Sequence, residues 1–244
     1  GTASRHSPHP TDRSVGRVGR MARSSAATLD WEGISSRDKI LEVAEALFAR
    51  SGFSGVGLRE VAAGVELSKS SLFHHFSSKL ELYDAVLSRV LARIDAHVRP
   101  VLEAPGTARE RLEGALGALI DALAEHSTTA RLLLRALVED TLPAPEAKES
   151  PSIEEALSVL IQSFEALVRA GIESGEFRSV SVPDATQTVI GASVYHFASG
   201  DFGEAVLGRP LFSAEAVSRR RRETVEFLVL GLVREPARPV TRGE

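Results

Sequence analysis

The chain has 244 residues, 43% of them hydrophobic and 25% charged, with a formal net charge of −4, enough for a sizeable core in one or two domains. It contains no cysteine, which rules out disulfides, thiolate metal sites and cysteine nucleophiles and fits a reducing cytoplasm. No run of eighteen apolar residues and no signal-peptide pattern is present, so nothing in the composition points to a membrane.

Residues 1 to 34 open the chain with a stretch rich in Ser, Arg, Pro and Gly that lacks periodicity and reads as a disordered extension. Met21 is the only methionine. Residues 1 to 20 read either as an upstream extension before a native start at Met21 or as an arm whose Arg13, Arg17, Arg20 and Arg23 reach phosphates or a minor groove. The first helix begins at Ser35-Ser36-Arg37-Asp38, a capping box in which Ser35 accepts the Asp38 N–H and the Asp38 carboxylate reaches back. Ile40, Val43, Ala44, Leu47 and Phe48 follow at helical spacing. Gly52 is the expected C-terminal cap, with Phe53 tucked back to close the unit.

Residues 57 to 80, GLREVAAGVELSKSSLFHHFSSKL, are the most informative stretch. Leu58, Val61, Ala62 and Val65 form one apolar stripe of a short helix. Leu67 crosses a turn, and Ser68 caps a second short helix whose buried edge is Leu72 and Phe76. The outward face is then Lys69, Ser70, Ser71, Phe73, His74 and His75. Hydroxyls serve base edges or phosphate, lysine supplies a point charge, and the helix N-terminus offers free backbone N–H groups. Ser78 next caps a long helix carrying Leu82, Ala85, Val86, Val90 and Ile94, which Pro100 is expected to end. Residues 1 to 100 hold 14 Lys and Arg against 11 Asp and Glu, and the remainder 15 against 22, so the basic part is the part with the motif.

Gly52-Phe53, Arg59-Glu60-Val61-Ala62, Ser68-Lys69, Leu72-Phe73-His74-His75-Phe76 and Lys79 follow one another in a pattern that, over residues 36 to 94, resembles the TetR family of one-component regulators. The resemblance implies a symmetric dimer that binds double-stranded operator DNA and releases it when a small effector enters a C-terminal pocket. With the residues above it nominates Gly57, Arg59, Ser68, Lys69, Ser70, Ser71, Phe73, His74, His75 and Lys79 as DNA contacts. Three positions depart from the family pattern. Val56-Gly57 replaces a Thr or Ser that caps the second helix, Glu66 replaces the turn glycine, and Phe73 replaces a tyrosine and its phosphate hydrogen bond. Glu66 must adopt a left-handed conformation, at about 1 kcal/mol, or sit in a remodelled turn.

Beyond Pro100 the apolar runs at 112 to 123, 132 to 138, 153 to 172, 185 to 195 and 217 to 232 read as five helices, with breaks at Pro105-Gly106, 143 to 151, 175 to 183 and 200 to 213. The whole is an all-α, nine-helix TetR-like fold: a DNA-binding domain over 35 to 80, an effector-binding and dimerisation domain over 81 to 233, and a disordered tail over 234 to 244. The last two helices are the expected dimer surface, through Ala185, Val189, Ala192 and His196 on one and Val217, Val225, Leu228, Val229 and Leu232 on the other. Two-fold symmetry sets the recognition helices ~34 Å apart and predicts a palindromic operator. Four successive arginines at 219 to 222 sweep most of a helix's circumference, so at least one meets a partner, either rim acids such as Glu215, Glu223 and Glu226 or an anionic group on the effector.

An aliphatic pocket among residues 107 to 195 suggests an apolar or amphipathic effector. His126, Arg135, Gln162, Phe164, Gln187, Tyr195 and His196 are the inward-facing candidates by spacing. Catalysis has no support: there is no Gly-rich phosphate loop, GxSxG elbow or HExxH, and His74 and His75 diverge by about 100° on a helix and cannot share a metal. No cofactor is implied. The chain therefore reads as a ligand-responsive repressor. The alternative is a helical small-molecule binding or DNA-organising protein of the same fold that regulates no promoter.

Overall fold

The computed structural model describes residues 33 to 139 and 153 to 234. Residues 1 to 32 of the expected N-terminal extension, the break at 143 to 151 and residues 235 to 244 of the tail lie outside those residues. Ten α-helices are present among them: α1 (Ser36–Gly55), α2 (Leu58–Gly64), α3 (Lys69–His75), α4 (Lys79–Leu102), α5 (Ala108–Glu125), α6 (Thr129–Leu134), α7 (Ile153–Glu173), α8 (Val182–Ala198), α9 (Gly200–Leu207) and α10 (Ala214–Leu232). A π-helical turn, Arg135–Glu139, continues α6. No strand forms among the described residues; Phe177 and Val233 make one isolated antiparallel bridge.

The helix starts follow the local chemistry. Ser35 accepts the Asp38 N–H at 3.1 Å, and the Asp38 carboxylate takes the Ser35 hydroxyl at 2.6 Å, so it reaches the hydroxyl of the capping residue and not its backbone. Ser68 and Ser78 accept from the backbone N–H of Ser71 and Glu81, both at 3.0 Å. Thr107 and Glu110 form a full capping box at α5.

Gly52, with φ 69 and ψ 176, breaks α1 internally. The chain turns back there, so that Phe53 stacks 6.4 Å from Phe48 and both rings meet Tyr83 of α4 edge-on, at 5.2 and 4.8 Å. Such pairs add about 0.5–1.5 kcal/mol each beyond the area they bury.

Three expectations need correction. Pro100 does not end α4, which runs to Leu102; a proline in the last turn removes one ladder bond where the helix is about to run out of partners. The segment 200 to 213 is not simply a break, because Gly200–Leu207 forms α9 and raises the count from nine helices to ten. Its glycines do act as helix punctuation: Gly200 (φ 53) opens α9 and Gly208 (φ 64) closes it in the left-handed region. Third, Val189, Leu228, Val229 and Leu232 of the expected dimer stripe are buried within the protomer, since that stripe closes the chain's own core.

One continuous apolar core runs from α1 to α10. Its axis is α4, whose Leu82, Val86, Leu87, Val90, Ile94 and Val98 are buried while the helix packs against α1, α5, α6 and α7. Two ion pairs tie α1 to it. Glu42 meets Arg89 at 2.6 Å at the surface, and Glu45, only 3% exposed, meets Arg93 at 2.6 Å. The Thr128 hydroxyl donates to the same Glu45 oxygen at 2.6 Å.

Glu66 takes the left-handed conformation, φ 56, and is the one residue other than glycine with positive φ among the described residues. The Leu67 N–H reaches the Ala62 carbonyl at 2.9 Å and the Glu66 N–H the Ala63 carbonyl at 3.2 Å, which is a Schellman closure with Glu66 where glycine is favoured. The turn is therefore not remodelled; the strain sits in one residue. Glu66→Gly should stabilise the protein by about 1 kcal/mol, read as a higher urea midpoint at unchanged slope.

Candidate nucleic-acid interface and apolar cavity

The outer face of α3 exposes Lys69, Ser70, Phe73 and His74, with Ser71 and His75 half-buried beside them. Leu72 and Phe76, at 0% and 1% exposure, hold the opposite face in the core. At the N-terminus the three hydroxyls interlock, Ser68 Oγ lying 2.8 Å from both Ser70 Oγ and Ser71 Oγ. The Lys69 ammonium lies 5.2 Å from the centroid of the Phe73 ring, which is 40% exposed.

Lys79, at the start of α4, lies 4.5 Å over Phe53 and reaches the Ser54 carbonyl at 3.5 Å. Its charge is thereby held beside the break in α1. Gly57 caps α2 without a side-chain bond, and its carbonyl accepts the N–H groups of Glu60 and Val61 at 2.9 and 3.3 Å. Arg59 is exposed near it, whereas Glu60 is drawn off to Arg50 at 3.1 Å. Arg37 adds a further cation, 4.9 Å over Phe76. Sequence reasoning missed it, since the contact joins residues 39 positions apart.

The second feature is a cavity of about 100 Å³ between α4, α5, α6 with its π turn, α7 and α8. Leu91, Leu116, Leu133, Leu160, Phe164 and Val194 are among its walls. Thr186 is its one polar residue, and that hydroxyl already donates to the Val182 carbonyl at 2.9 Å. The space therefore turns no unsatisfied hydrogen-bonding group toward an occupant, the condition under which a cavity stays dry and takes hydrocarbon.

Of the seven residues expected to face such a pocket, Phe164 lines it. His126 is the C-cap of α5. Gln162 and Gln187 are exposed, as is Tyr195 at 58%. Their helices do border the cavity, but these residues lie at other phases of the turn, and a stripe predicted from spacing alone has no fixed rotation. Arg135 points the other way and donates from Nε and Nη2 to the carbonyls of Ala49 and Arg50 in α1, at 3.1 and 3.2 Å.

His196 borders a separate surface groove with Tyr195, Phe202, Val206 and Arg220. The four arginines diverge as their spacing requires: Arg219 pairs with Glu215, Arg221 with Asp121 of α5, and Arg220 donates to the Ala192 carbonyl at 2.6 Å.

Burial, with Arg220 and Arg209 nearby, pushes His196 down to about 4, whereas an unfolded chain takes up that proton near pH 6.5. Protonation thus favours unfolding, and stability at this group is lost as pH falls from about 6.5 to 4. His196→Gln should flatten the pH dependence of the urea midpoint in that window and leave it unchanged above pH 7.

This all-α architecture, with an exposed helix-turn-helix at one end and an apolar cavity further along the shared helix α4, defines a helix-turn-helix protein. Residues 40 to 86 match the family model of bacterial regulatory proteins of the tetR family, and residues 109 to 228 match that of the tetracyclin repressor-like C-terminal domain. The chain belongs to the TetR family. It is 35% identical over 92 residues to the HTH-type transcriptional repressor KstR2 of Mycobacterium tuberculosis, covering 38% of this chain and 46% of that one. It is 37% identical over 97 residues to the HTH-type transcriptional activator FasR of Mycolicibacterium smegmatis, covering 40% and 44%. These matches span a little under half the length of either relative. The structure of the ketosteroid transcriptional regulator KstR2 of Mycobacterium tuberculosis superimposes with a TM-score of 0.64 at 23% identity, over 83% of this chain and 97% of that one, and shares the fold. These relatives are transcriptional regulators, not enzymes. No helix among the described residues is long and apolar enough to cross a membrane.

Proposed function

We propose that the chain is a cytoplasmic transcriptional repressor that binds a palindromic operator as a homodimer and leaves it when an apolar or amphipathic molecule occupies the cavity. The observation that carries this reading is the exposed hydroxyl-rich and basic face of α3, presented next to the helix whose middle turns wall a hydrocarbon-lined space. Lys69, Lys79 and His74 neutralise phosphates, with Arg59 and the Gly57 N–H beside them, while Ser68, Ser70 and Ser71 address base edges and backbone. Phe73 and His75 supply contact area. The sign of regulation follows KstR2, which is named a repressor.

Self-association uses the apolar surface that the protomer leaves uncovered: Tyr195 on α8, Phe202 and Val206 on α9, and Phe227 and Leu230 on α10, each 58% to 76% exposed. Five large apolar side chains on three neighbouring helices exceed the scatter of exposed residues expected on a monomer. Phe227→Glu should then convert a dimer to a monomer in sedimentation.

The test is fluorescence anisotropy on the DNA flanking the gene, against scrambled DNA at the same salt. Tight binding to the flanking DNA alone is expected. Lys69→Ala should weaken it and lower the salt slope by about 1, one phosphate contact fewer. Equal weak binding to both DNAs would overturn the regulatory reading.

A further inference from the structure

The geometry points to Arg135 as the link through which the cavity acts on the recognition helix: filling the cavity uncaps the end of α1. The inference rests on the reading of the chain as an effector-responsive DNA-binding protein and supplies the route from one site to the other.

Leu133 and Leu137 both wall the cavity. Arg135 stands between them at the point where α6 loosens into the π turn, and its guanidinium crosses to α1. The two carbonyls it holds, of Ala49 and Arg50, belong to the last turn of α1 before the break at Gly52. Carbonyls in such a position lack helical partners, and a cation there also answers the negative end of the helix dipole. Arg135 therefore caps the very turn at which the chain changes direction.

The two ends of α6 are held by different groups. At its start, Thr128 and Arg93 share the buried Glu45 carboxylate, which fixes that end to α1 and α4. At its far end Arg135, a half-exposed side chain, reaches the α1 carbonyls with two hydrogen bonds, and π turns recur at functional sites. An occupant pressing Leu133 and Leu137 outward pivots α6 about Thr128 and draws Arg135 off the carbonyls. The break at Gly52 is then held by Phe53 against Phe48 and Tyr83 and by Lys79, which lies over Phe53 and donates to the Ser54 carbonyl. Residues 53 to 57 lead straight into α2, so a change of angle there shifts α2 and α3 together.

The test needs no effector. Ala115 lines the cavity from α5, and Ala115→Leu fills that space with carbon. Amide hydrogen exchange over residues 51 to 57 and anisotropy on flanking DNA are measured for the full chain with Ala115→Leu, Arg135→Gln and both together. Ala115→Leu is expected to speed exchange about tenfold and weaken DNA binding about tenfold. Arg135→Gln alone should reach the same level, and Ala115→Leu on top of it should add less than twofold. Arg135→Lys, which keeps one donor, should fall between. Protection of the α4 amides from 82 to 90 at wild-type level shows that each variant is folded.

A full Ala115→Leu effect in the Arg135→Gln background, or unchanged exchange at 51 to 57, would overturn the link. Loss of specific DNA binding by the wild type would instead sink the regulatory reading, because the exchange measurement does not depend on DNA.

Discussion

A carboxylate removed from water at Glu45 dictates how three parts of the chain are joined. It sits on the buried face of α1 between Leu41, Ala44 and Phe48, where a charge is tolerated only with partners. Arg93 of α4 and Thr128 at the start of α6 supply them. The pair adds little net stability, since desolvation offsets most of its attraction, but taking away one partner costs about 3–5 kcal/mol. That asymmetry makes it a registration device. It sets α1, and with it the helix-turn-helix, against the helix that walls the cavity.

Around this joint the chain uses strain sparingly. Gly52 carries the sharp change of direction that brings Phe53 onto Phe48 and Tyr83, so an aromatic cluster secures the helix-turn-helix to α4. Glu66 carries the left-handed turn that glycine adopts without cost. A Schellman closure fixes the angle between α2 and α3 despite that cost, so a loss of local propensity does not become a loss of shape. What changes is the charge at the turn, where an exposed carboxylate stands between α2 and α3.

The cavity and the exposed apolar face show how one set of helices can serve two surfaces. On α8, Val189 and Val194 turn inward to wall the cavity while Tyr195 turns out. On α10, Leu228 and Val229 close the core while Phe227 and Leu230 remain exposed. The inner residues belong to the protomer's own core. The outer ones remain available to a second copy. The arginines at 219 to 222 divide in the same way, one reaching α5, one α8 and one an acid on its own helix.

Much of this was legible in the sequence because it is local. Caps at Ser35, Ser68 and Ser78, the break at Gly52, the buried edge of α3 and the strained position of Glu66 each depend on residues within about one turn, and helical spacing reports them directly. The order of Gly52-Phe53, Arg59 through Ala62 and Leu72 through Phe76 also carries the family pattern. Rotation of the C-terminal helices was not legible. Spacing identifies an apolar stripe but not which neighbour covers it, so it does not distinguish the inner faces of α8 and α10 from outer ones, nor fix the phase at which the polar pocket candidates fall. Nor does spacing reveal that Arg135, Glu45 and Arg37 find their partners 39 to 86 positions away, because those contacts exist only once α1 has packed against α3, α4 and α6. The sequence by itself determined nine of the ten helices, the caps at Ser35, Ser68 and Ser78 and the chemistry offered by α3. Only the tertiary structure decided which faces meet, because the burial that decides it is shared between segments distant in the chain.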